Sequence, residues 1–328
     1  MLAELDGVSH ARGRRVVLAA LRRRVVDELR APVRHRCRDL LDRGLSGERL
    51  DLVGEVAAPA LQAAISELFA LEPDQEQEFL ALASGTGADL FPTETGDESA
   101  LVRRLDEHMG NLIRARRAAA AAPRDGEPRD AVRAMMLAAE SESPPVPDAE
   151  LAVHMRSLAM AAYGGTVDLL ANLLHRLLVE PGLWVRVAAD RVEIARVMEE
   201  CLRYEAPAAL LNRRCAVSTT VGDQDVAEGD ILVVAVGMAN RDPAHHVDPD
   251  RFDVDRPQAT NHVSFGVGPH ACAGIPLVRL LVAELVGELL DRMPLPPPLL
   301  DSTDLGHAEF FVSRGPKSLV VALDAPVR

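Results

Sequence analysis

The stretch Phe265-Gly-Val-Gly-Pro-His-Ala-Cys-Ala-Gly274 organises this sequence, and it leads directly into an apolar helical pattern at 275–290. By chance, its combination of one aromatic residue, three glycines, one histidine and one cysteine arises about once in a million. Glycines let a backbone adopt positive φ and approach another group closely. The stretch therefore predicts a tight loop in which amide donors and the helix start favour a Cys272 thiolate over a thiol. A helix-start turn with an inert, buried cysteine is the alternative.

This stretch resembles the haem-ligand loop of the cytochrome P450 family, Phe-Gly-x-Gly-x-His-x-Cys-x-Gly. In that family a cysteine thiolate holds the haem iron and favours O–O cleavage. The resemblance implies that Cys272 is the axial ligand of the iron of haem b. It also implies that Phe265 and Gly274 contact the cofactor and that His270 reaches a haem propionate. The implied fold class is mainly α with small β-sheets, an N-terminally truncated cytochrome P450 fold.

Composition limits the partners and the compartment. The chain has 328 residues, of which 48% are hydrophobic and 3% aromatic, so Leu, Val and Ala must fill most of a large core. The net charge of −14 argues against nonspecific binding to nucleic acid or to an anionic membrane. No apolar run reaches about 18 residues. Four cysteines without a C-x-x-C pair fit a reducing cytoplasm. We therefore expect a cytoplasmic protein without a nucleic-acid or membrane partner.

The resemblance implies one haem-thiolate domain over residues 1–328. Its predicted parts are a helix-rich region at 1–205 and 275–292, a β-rich and meander region at 206–264, the haem-ligand loop at 265–274 and a terminal hairpin at 308–323. Within these parts, apolar spacing predicts helices at 50–71, 100–121, 148–180 and 190–205. Alternating β-branched residues predict strands at 208–212, 215–221 and 230–236.

His10 and Arg14 lie four residues apart, so on a helix they point the same way. Two cationic donors on one helix face suit an anion such as a carboxylate, although a solvated basic face is the alternative. The resemblance implies that both residues hold a haem propionate and that Arg214 reaches one too. The neighbouring arginines form either a docking face for an acidic redox partner or a plain solvated surface; they are Arg12, Arg15, Arg22, Arg23 and Arg24.

The predicted helix at 148–180 has an unusual middle. Adjacent Gly164 and Gly165 weaken a helix by about 1 kcal/mol each relative to Ala. They permit either a kink or close packing against another helix. The resemblance implies that Thr166 lies over the oxygen site as a catalytic residue and that Ala162 matches the same motif. Gly165 stands where the family has an acid, which puts the proton relay in doubt. Asp168 cannot replace that acid, because it lies about 200° around the helix from Thr166.

Glu200 and Arg203 lie three residues apart on a predicted helix, where exposed pairs are common and weak. The resemblance implies instead a buried network of Glu200, Arg203 and Arg251 on the thiolate side of the haem. It also implies substrate contacts by the residues Ala162, Leu210, Leu211, Phe311 and Val312. Zinc is disfavoured, because His245, His246 and His262 show no tetrahedral spacing with cysteine.

Family members normally carry a further segment before the helix of His10. We therefore expect an exposed sheet edge, an open distal haem face, and a homodimer or protein partner that covers the gap. The leading hypothesis is a monooxygenase that oxidises an apolar small molecule of bacterial specialised metabolism with electrons from a ferredoxin-type partner. A haem catalyst that uses peroxide, or that rearranges or cyclises its substrate, is the alternative. A non-catalytic auxiliary partner of another biosynthetic enzyme is the third, and the intact cysteine loop disfavours it.

Overall fold

The computed structural model describes residues 2–71, 79, 100–119, 130–257, 259–306 and 314–323. Helices form most of these residues. They are α1 (Gly7–Ala20), α2 (Arg23–Glu28), α3 (Arg30–Gly44), α4 (Ala58–Phe69), α5 (Ala100–Ala119), α6 (Ala131–Ser141), α7 (Asp148–Val179), α8 (Leu183–Ala189), α9 (Glu193–Tyr204), α10 (Val236–Ala239) and α11 (Ile275–Arg292). A π-helical segment, Leu52–Ala57, leads into α4.

The strands of the described residues form small antiparallel pairs. They are β1 (Arg49–Asp51), β2 (Leu211–Arg214), β3 (Thr219–Val221), β4 (Gln224–Val226), β5 (Ile231–Val234) and β6 (Val320–Ala322). β1 pairs with β6, β2 with β5, and β3 with β4. The predicted class, mainly α with small β-sheets, is therefore confirmed.

Helix α7 crosses the centre of the core. Its first residue is Asp148, and Pro147 takes the N-cap position. It ends before Pro181-Gly182, where Gly182 adopts a φ of 72° that few other residues tolerate. The helix continues without a break through Gly164 and Gly165. These glycines therefore leave gaps on the helix surface and do not interrupt the backbone hydrogen bonds.

Two predicted elements differ in the structure. The helix predicted at 50–71 starts as a strand, because Leu50 pairs with Val321 of β6. Asp51 then caps the helical segment, since its carboxylate accepts a hydrogen bond from the backbone of Val53 at 3.0 Å. The predicted terminal hairpin at 308–323 is wrong for its second half, because β6 pairs with β1 across the fold. Its first half, at 308–313, lies outside the described residues.

Helices α3 and α11 are joined by a ladder of charges. Arg30, Arg34 and Arg38 recur every four residues and so share one face of α3. They meet Glu284 and Glu288 of α11, whose side chains are each 5% exposed. Arg34 donates two hydrogen bonds to Glu284 at 2.9 and 2.7 Å, and Arg30 donates another. Buried carboxylates require such complete pairing, so the ladder fixes the register of the helix that follows the cysteine loop.

Two segments, Leu52–Phe69 and Asp148–Val179, are long and apolar enough to cross a membrane by composition. However, 67% and 61% of their most apolar windows are buried inside the protein. Core helices of water-soluble proteins show the same combination, so these helices are weak evidence for a membrane span.

We predict that Glu284→Ala lowers the free energy of unfolding by about 2–3 kcal/mol, because it removes the buried carboxylate that Arg30 and Arg34 share. Chemical denaturation followed by fluorescence of Trp184, the one tryptophan of the chain, measures this change. Asp250→Asn is the control. It removes an exposed carboxylate that Arg241 reaches at 3.4 Å and should cost less than about 0.5 kcal/mol. Equal losses in the two variants would contradict the role of the ladder.

Candidate cofactor site

The loop before α11 is closed by its own backbone. The Cys272 amide donates a hydrogen bond to the Phe265 carbonyl at 2.7 Å. Between them, Gly266 and Gly268 adopt φ values of 67° and 74°, which explains why glycine is needed at both positions. Gly274 then caps α11, whose first residue is Ile275. The loop therefore presents the Cys272 side chain directly before the first turn of a helix.

Cys272 differs from the other cysteines because it is exposed, whereas Cys37, Cys201 and Cys215 are buried. Although the residue is exposed, desolvation of its sulfur raises the pKa of the thiol. Backbone amides of Gly274 and Ile275 oppose this shift, as the sequence predicts, and so does the charge of Arg14. The expected preference for a thiolate is therefore wrong for the protein alone. A coordinated metal ion would itself remove the proton.

Helix α1 brings its predicted anion-binding residues beside the loop. The imidazole rings of His10 and His270 stack, with centroids 3.9 Å apart. The Arg14 guanidinium donates to the Ala271 carbonyl at 2.7 Å, and His270 Nε2 lies 3.0 Å from an Asp6 carboxylate oxygen. Burial, followed by the charges of His270 and Arg14, lowers the pKa of His10. The cluster is therefore a compact group of donors next to Cys272.

The position of α1 depends on close packing against α7. A Cβ atom added to Gly13 would lie 2.6 Å from Cε1 of His154, a distance that real Cβ atoms do not tolerate. Glycine at this position therefore lets the two helices approach. Two other α1 arginines form ion pairs within the protein. Arg12 lies 3.7 Å from Glu150, and Arg15 lies 2.5 Å from Glu142. They contribute less free charge to a docking face than the sequence alone indicates.

Other predicted residues lie apart from this cluster. Arg214, on β2, donates to the Gly229 carbonyl at 3.2 Å and makes no hydrogen bond to the loop. Leu210 and Leu211 are half-buried. Leu210 lies just before β2, and Leu211 is the first residue of that strand. Phe311 and Val312 lie outside the described residues.

The middle of α7 has open space on its surface at Gly164 and Gly165, which carry no side chains. A Cβ atom added to Gly164 or Gly165 would meet no atom within 4 Å. Thr166 and Ala162 are buried on the same helix, at 3% and 9% exposure. Asp168 faces elsewhere, because its Cα would lie 2.8 Å from a Cβ added to Gly315. The described part of this helix therefore carries an open stretch beside Thr166 with no carboxylate at position 165.

Glu200 and Arg203 form the most completely buried ion pair of the described residues, and both side chains are 0% exposed. Two parallel hydrogen bonds of 2.8 Å join them. The remaining Arg203 donors are used by backbone carbonyls of Asn240, Pro249 and Arg251 at 2.8–3.1 Å. Each N–H of the guanidinium thus has an acceptor, as a buried charge requires.

The arginine side chain that lies beside this pair is not the predicted one, Arg251. The Arg251 side chain is exposed, and only its backbone carbonyl takes part. Arg256 lies beside the pair instead, with Nε 3.6 Å from Glu200 and a side chain 8% exposed. It also donates to the carbonyls of Asp248 and Arg251 at 3.0 Å. Both arginines lie in the same short meander, so spacing alone does not distinguish them.

A mainly α fold that presents an exposed cysteine from a glycine-rich loop fits the class of haem-thiolate proteins. The family model for cytochrome P450 matches residues 28–304, and the chain belongs to the cytochrome P450 family. As a member, it belongs to a class of haem enzymes with monooxygenase activity, which take electrons from external donors. The residues present fit the cofactor, since an exposed thiol lies beside the Arg14 guanidinium and two imidazole rings, whose N–H groups suit its carboxylates.

Curated relatives support the same assignment. The chain is 33% identical over 290 residues to cytochrome P450 107B1 of Saccharopolyspora erythraea, covering 88% of this chain and 69% of the relative. It is 31% identical to the erythromycin C-12 hydroxylase of the same organism, covering 95% and 78%. The solved structure of Bacillus subtilis PksS, from bacillaene polyketide synthesis, superposes with a TM-score of 0.86 at 25% identity, covering 99% and 81%.

Two variants, each of which replaces one meander arginine by glutamine, test the corrected network. Arg256→Gln should lower the free energy of unfolding by about 2–3 kcal/mol, because it removes a buried cation that lies beside the buried Glu200 carboxylate. Arg251→Gln, the matched control, should change it by less than about 0.5 kcal/mol, since the side chain is exposed and the carbonyl is retained. Denaturant titration of both variants measures the difference. A larger loss for Arg251→Gln would restore the assignment made from the sequence.

Proposed function

We propose that this protein is a haem-thiolate monooxygenase that inserts one oxygen atom into an apolar small molecule of bacterial specialised metabolism. The observation that carries the proposal is the exposed Cys272 thiol, held beside His10, Arg14 and His270. The names of relatives support the substrate class, because they include the erythromycin C-12 hydroxylase and the monooxygenase PikC of Streptomyces venezuelae. PksS, whose name places it in polyketide biosynthesis, supports it further.

In this proposal the protein positions the cofactor, which is haem b. Cys272 binds the iron, and haem supplies the oxygen-activating chemistry when bound. Arg14 and the rings of His10 and His270 hold the propionates by hydrogen bonds, of which the charge-assisted bond from the Arg14 guanidinium is the strong one. Arg214 is assigned to the same task from β2. Phe265 and Gly274 line the cofactor on the loop side, where glycine keeps the backbone close.

The substrate side is assigned to α7 and to the segment before β2. The Thr166 hydroxyl donates and accepts hydrogen bonds, so it suits an oxygen site and the movement of a proton. Ala162, Leu210 and Leu211 offer apolar contacts to the substrate, and Phe311 and Val312 are assigned with them from the sequence. Glu200 and Arg203 brace the thiolate side, with Arg256 in place of Arg251.

The proposed partners follow from charge and exposure. A ferredoxin-type protein in the cytoplasm would deliver the electrons. A second copy or another protein would cover the β2–β5 pair, because Ile231 and Val233 of β5 are 54% and 52% exposed. Exposed apolar edge strands are normally covered by another segment or chain.

A spectrum of the reduced protein under CO tests the leading function. The parent protein should give the band typical of a thiolate-ligated haem, and Cys272→Ser should abolish it because the soft sulfur ligand is lost. Cys215→Ser is the matched control. Its buried thiol donates to the Val217 carbonyl at 3.1 Å, a bond that a hydroxyl can keep, so the band should persist. A parent protein that binds no porphyrin would favour the auxiliary-partner function instead.

A second function is favoured by one specific observation, the open stretch at Gly164 and Gly165, with glycine and not an acid at position 165. Without a carboxylate to deliver protons, O2 chemistry driven by external electrons would be slow. Peroxide brings its own protons and both oxidising equivalents, and a rearrangement or cyclisation at haem needs neither. The second candidate is therefore a haem catalyst that does not depend on electron delivery.

Restoring the acid distinguishes the two functions. Gly165→Asp fits without a clash and should raise NADPH- and ferredoxin-driven turnover about ten-fold or more, since a positioned proton donor typically contributes at least that much. Gly164→Asp, about 100° around the helix, is the control and should not. Thr166→Ala should lower the same turnover. If electron-driven turnover stays negligible in every variant while peroxide supports oxidation, the second function is correct.

A further inference from the structure

The segment 262–264, which leads directly into the cysteine loop, is held by side chains whose roles the sequence does not reveal. We propose that Asn240 is a positioning residue that sets where the Cys272 loop lies. The proposal rests on the proposed role of Cys272 as iron ligand. Asn240 itself touches neither the loop cysteine nor the candidate anion cluster, so it acts through the segment that it holds.

Asn240 lies at the end of α10 and is 1% exposed. Its amide nitrogen donates to the Ser264 hydroxyl at 2.7 Å and to the Leu202 carbonyl of α9 at 3.3 Å. Its amide oxygen accepts from the Val263 backbone at 2.8 Å. Ser264 in turn donates to the same Leu202 carbonyl at 2.5 Å. Both amide hydrogens and the oxygen are used, so the side chain has one satisfied orientation.

A second set of contacts holds the same segment. Because Nδ1 of His262 accepts from the Ser264 backbone at 3.2 Å, the ring proton must sit on Nε2. Nε2 then donates to Glu199 of α9 at 3.1 Å. The other Glu199 oxygen accepts from Arg279 of α11 at 2.7 Å. The chain is therefore tied to α9 both before and after the cysteine loop.

Asn240 connects the buried Glu200–Arg203 pair to the cysteine loop through hydrogen bonds. Its backbone carbonyl accepts from the buried Arg203 guanidinium at 3.1 Å, so its own position is fixed by the Glu200–Arg203 pair. Val263, held by the amide oxygen, accepts through its carbonyl from Gly266 at 2.8 Å. Gly266 is the first turn residue of the loop, and its neighbour Phe265 accepts from the Cys272 amide. A shift of Val263 is thereby carried into the cysteine backbone by successive short contacts.

The test uses a substitution that keeps shape but removes donors. Asn240→Asp keeps an acceptor for Val263, loses both amide hydrogens and faces the Leu202 carbonyl with a like-charged oxygen. We expect amide hydrogen exchange of residues 262–274, measured by mass spectrometry, to become roughly ten-fold faster, while α7 exchanges as before. In the haem-loaded protein, the reduced CO spectrum should shift from the thiolate type toward the thiol type. Asn212→Asp, on exposed β2, is the matched control and should change neither readout.

Ser264→Ala is the second variant, in case Asn240→Asp does not fold. It removes one hydrogen bond at each of Asn240 and Leu202 and should give a smaller change in the same segment. Faster exchange spread over the whole chain, or normal exchange at 262–274 in both variants, would overturn the proposal and leave Asn240 with a purely structural role. The exchange readout needs no iron ligation. A parent protein without the thiolate CO band would therefore refute the proposed function separately.

Discussion

The candidate site depends on a buried ion pair that has no exposed surface. Glu200 and Arg203 must satisfy every donor and acceptor inside the protein, because an unpaired buried charge costs several kcal/mol. The pair does so by collecting backbone carbonyls from Asn240, Pro249 and Arg251, segments that a helix–strand pattern alone would leave unconnected. Hydrogen bonds to this pair therefore tie the meander to α9.

The geometry of the loop explains why the Cys272 side chain is exposed. Two glycines at positive φ and a backbone hydrogen bond from Cys272 to Phe265 hold the loop, so that no bulky side chain has to cover the sulfur. Desolvation outweighs the amide donors and keeps the thiol protonated in the protein alone. In the proposed function, iron binding by Cys272 would be coupled to deprotonation of this thiol.

The two sides of the candidate site differ in the number of polar side chains that they present. On the loop side, stacked His10 and His270 with Arg14 form a compact group of donors. On the α7 side, Gly164 and Gly165 leave open space beside Thr166. Membership in the cytochrome P450 family accounts for the first half. The second half is where this chain departs from the pattern of that family, and the two proposed functions differ in how they use it.

The sequence by itself determined the features that depend on spacing along the chain. The cysteine loop, the i,i+4 pair of His10 and Arg14, and the long helix α7 with its glycines all follow from local geometry, in which neighbours three or four residues apart share a face. Tertiary structure decided the rest, namely that Leu50 joins a strand, that Arg256 approaches the buried pair, and that Asn240 holds the segment before the loop. These outcomes depend on partners 24 to 271 residues away. A pattern cannot choose among chemically equal side chains such as the two meander arginines, because burial and distance, which select one of them, exist only after the chain has folded.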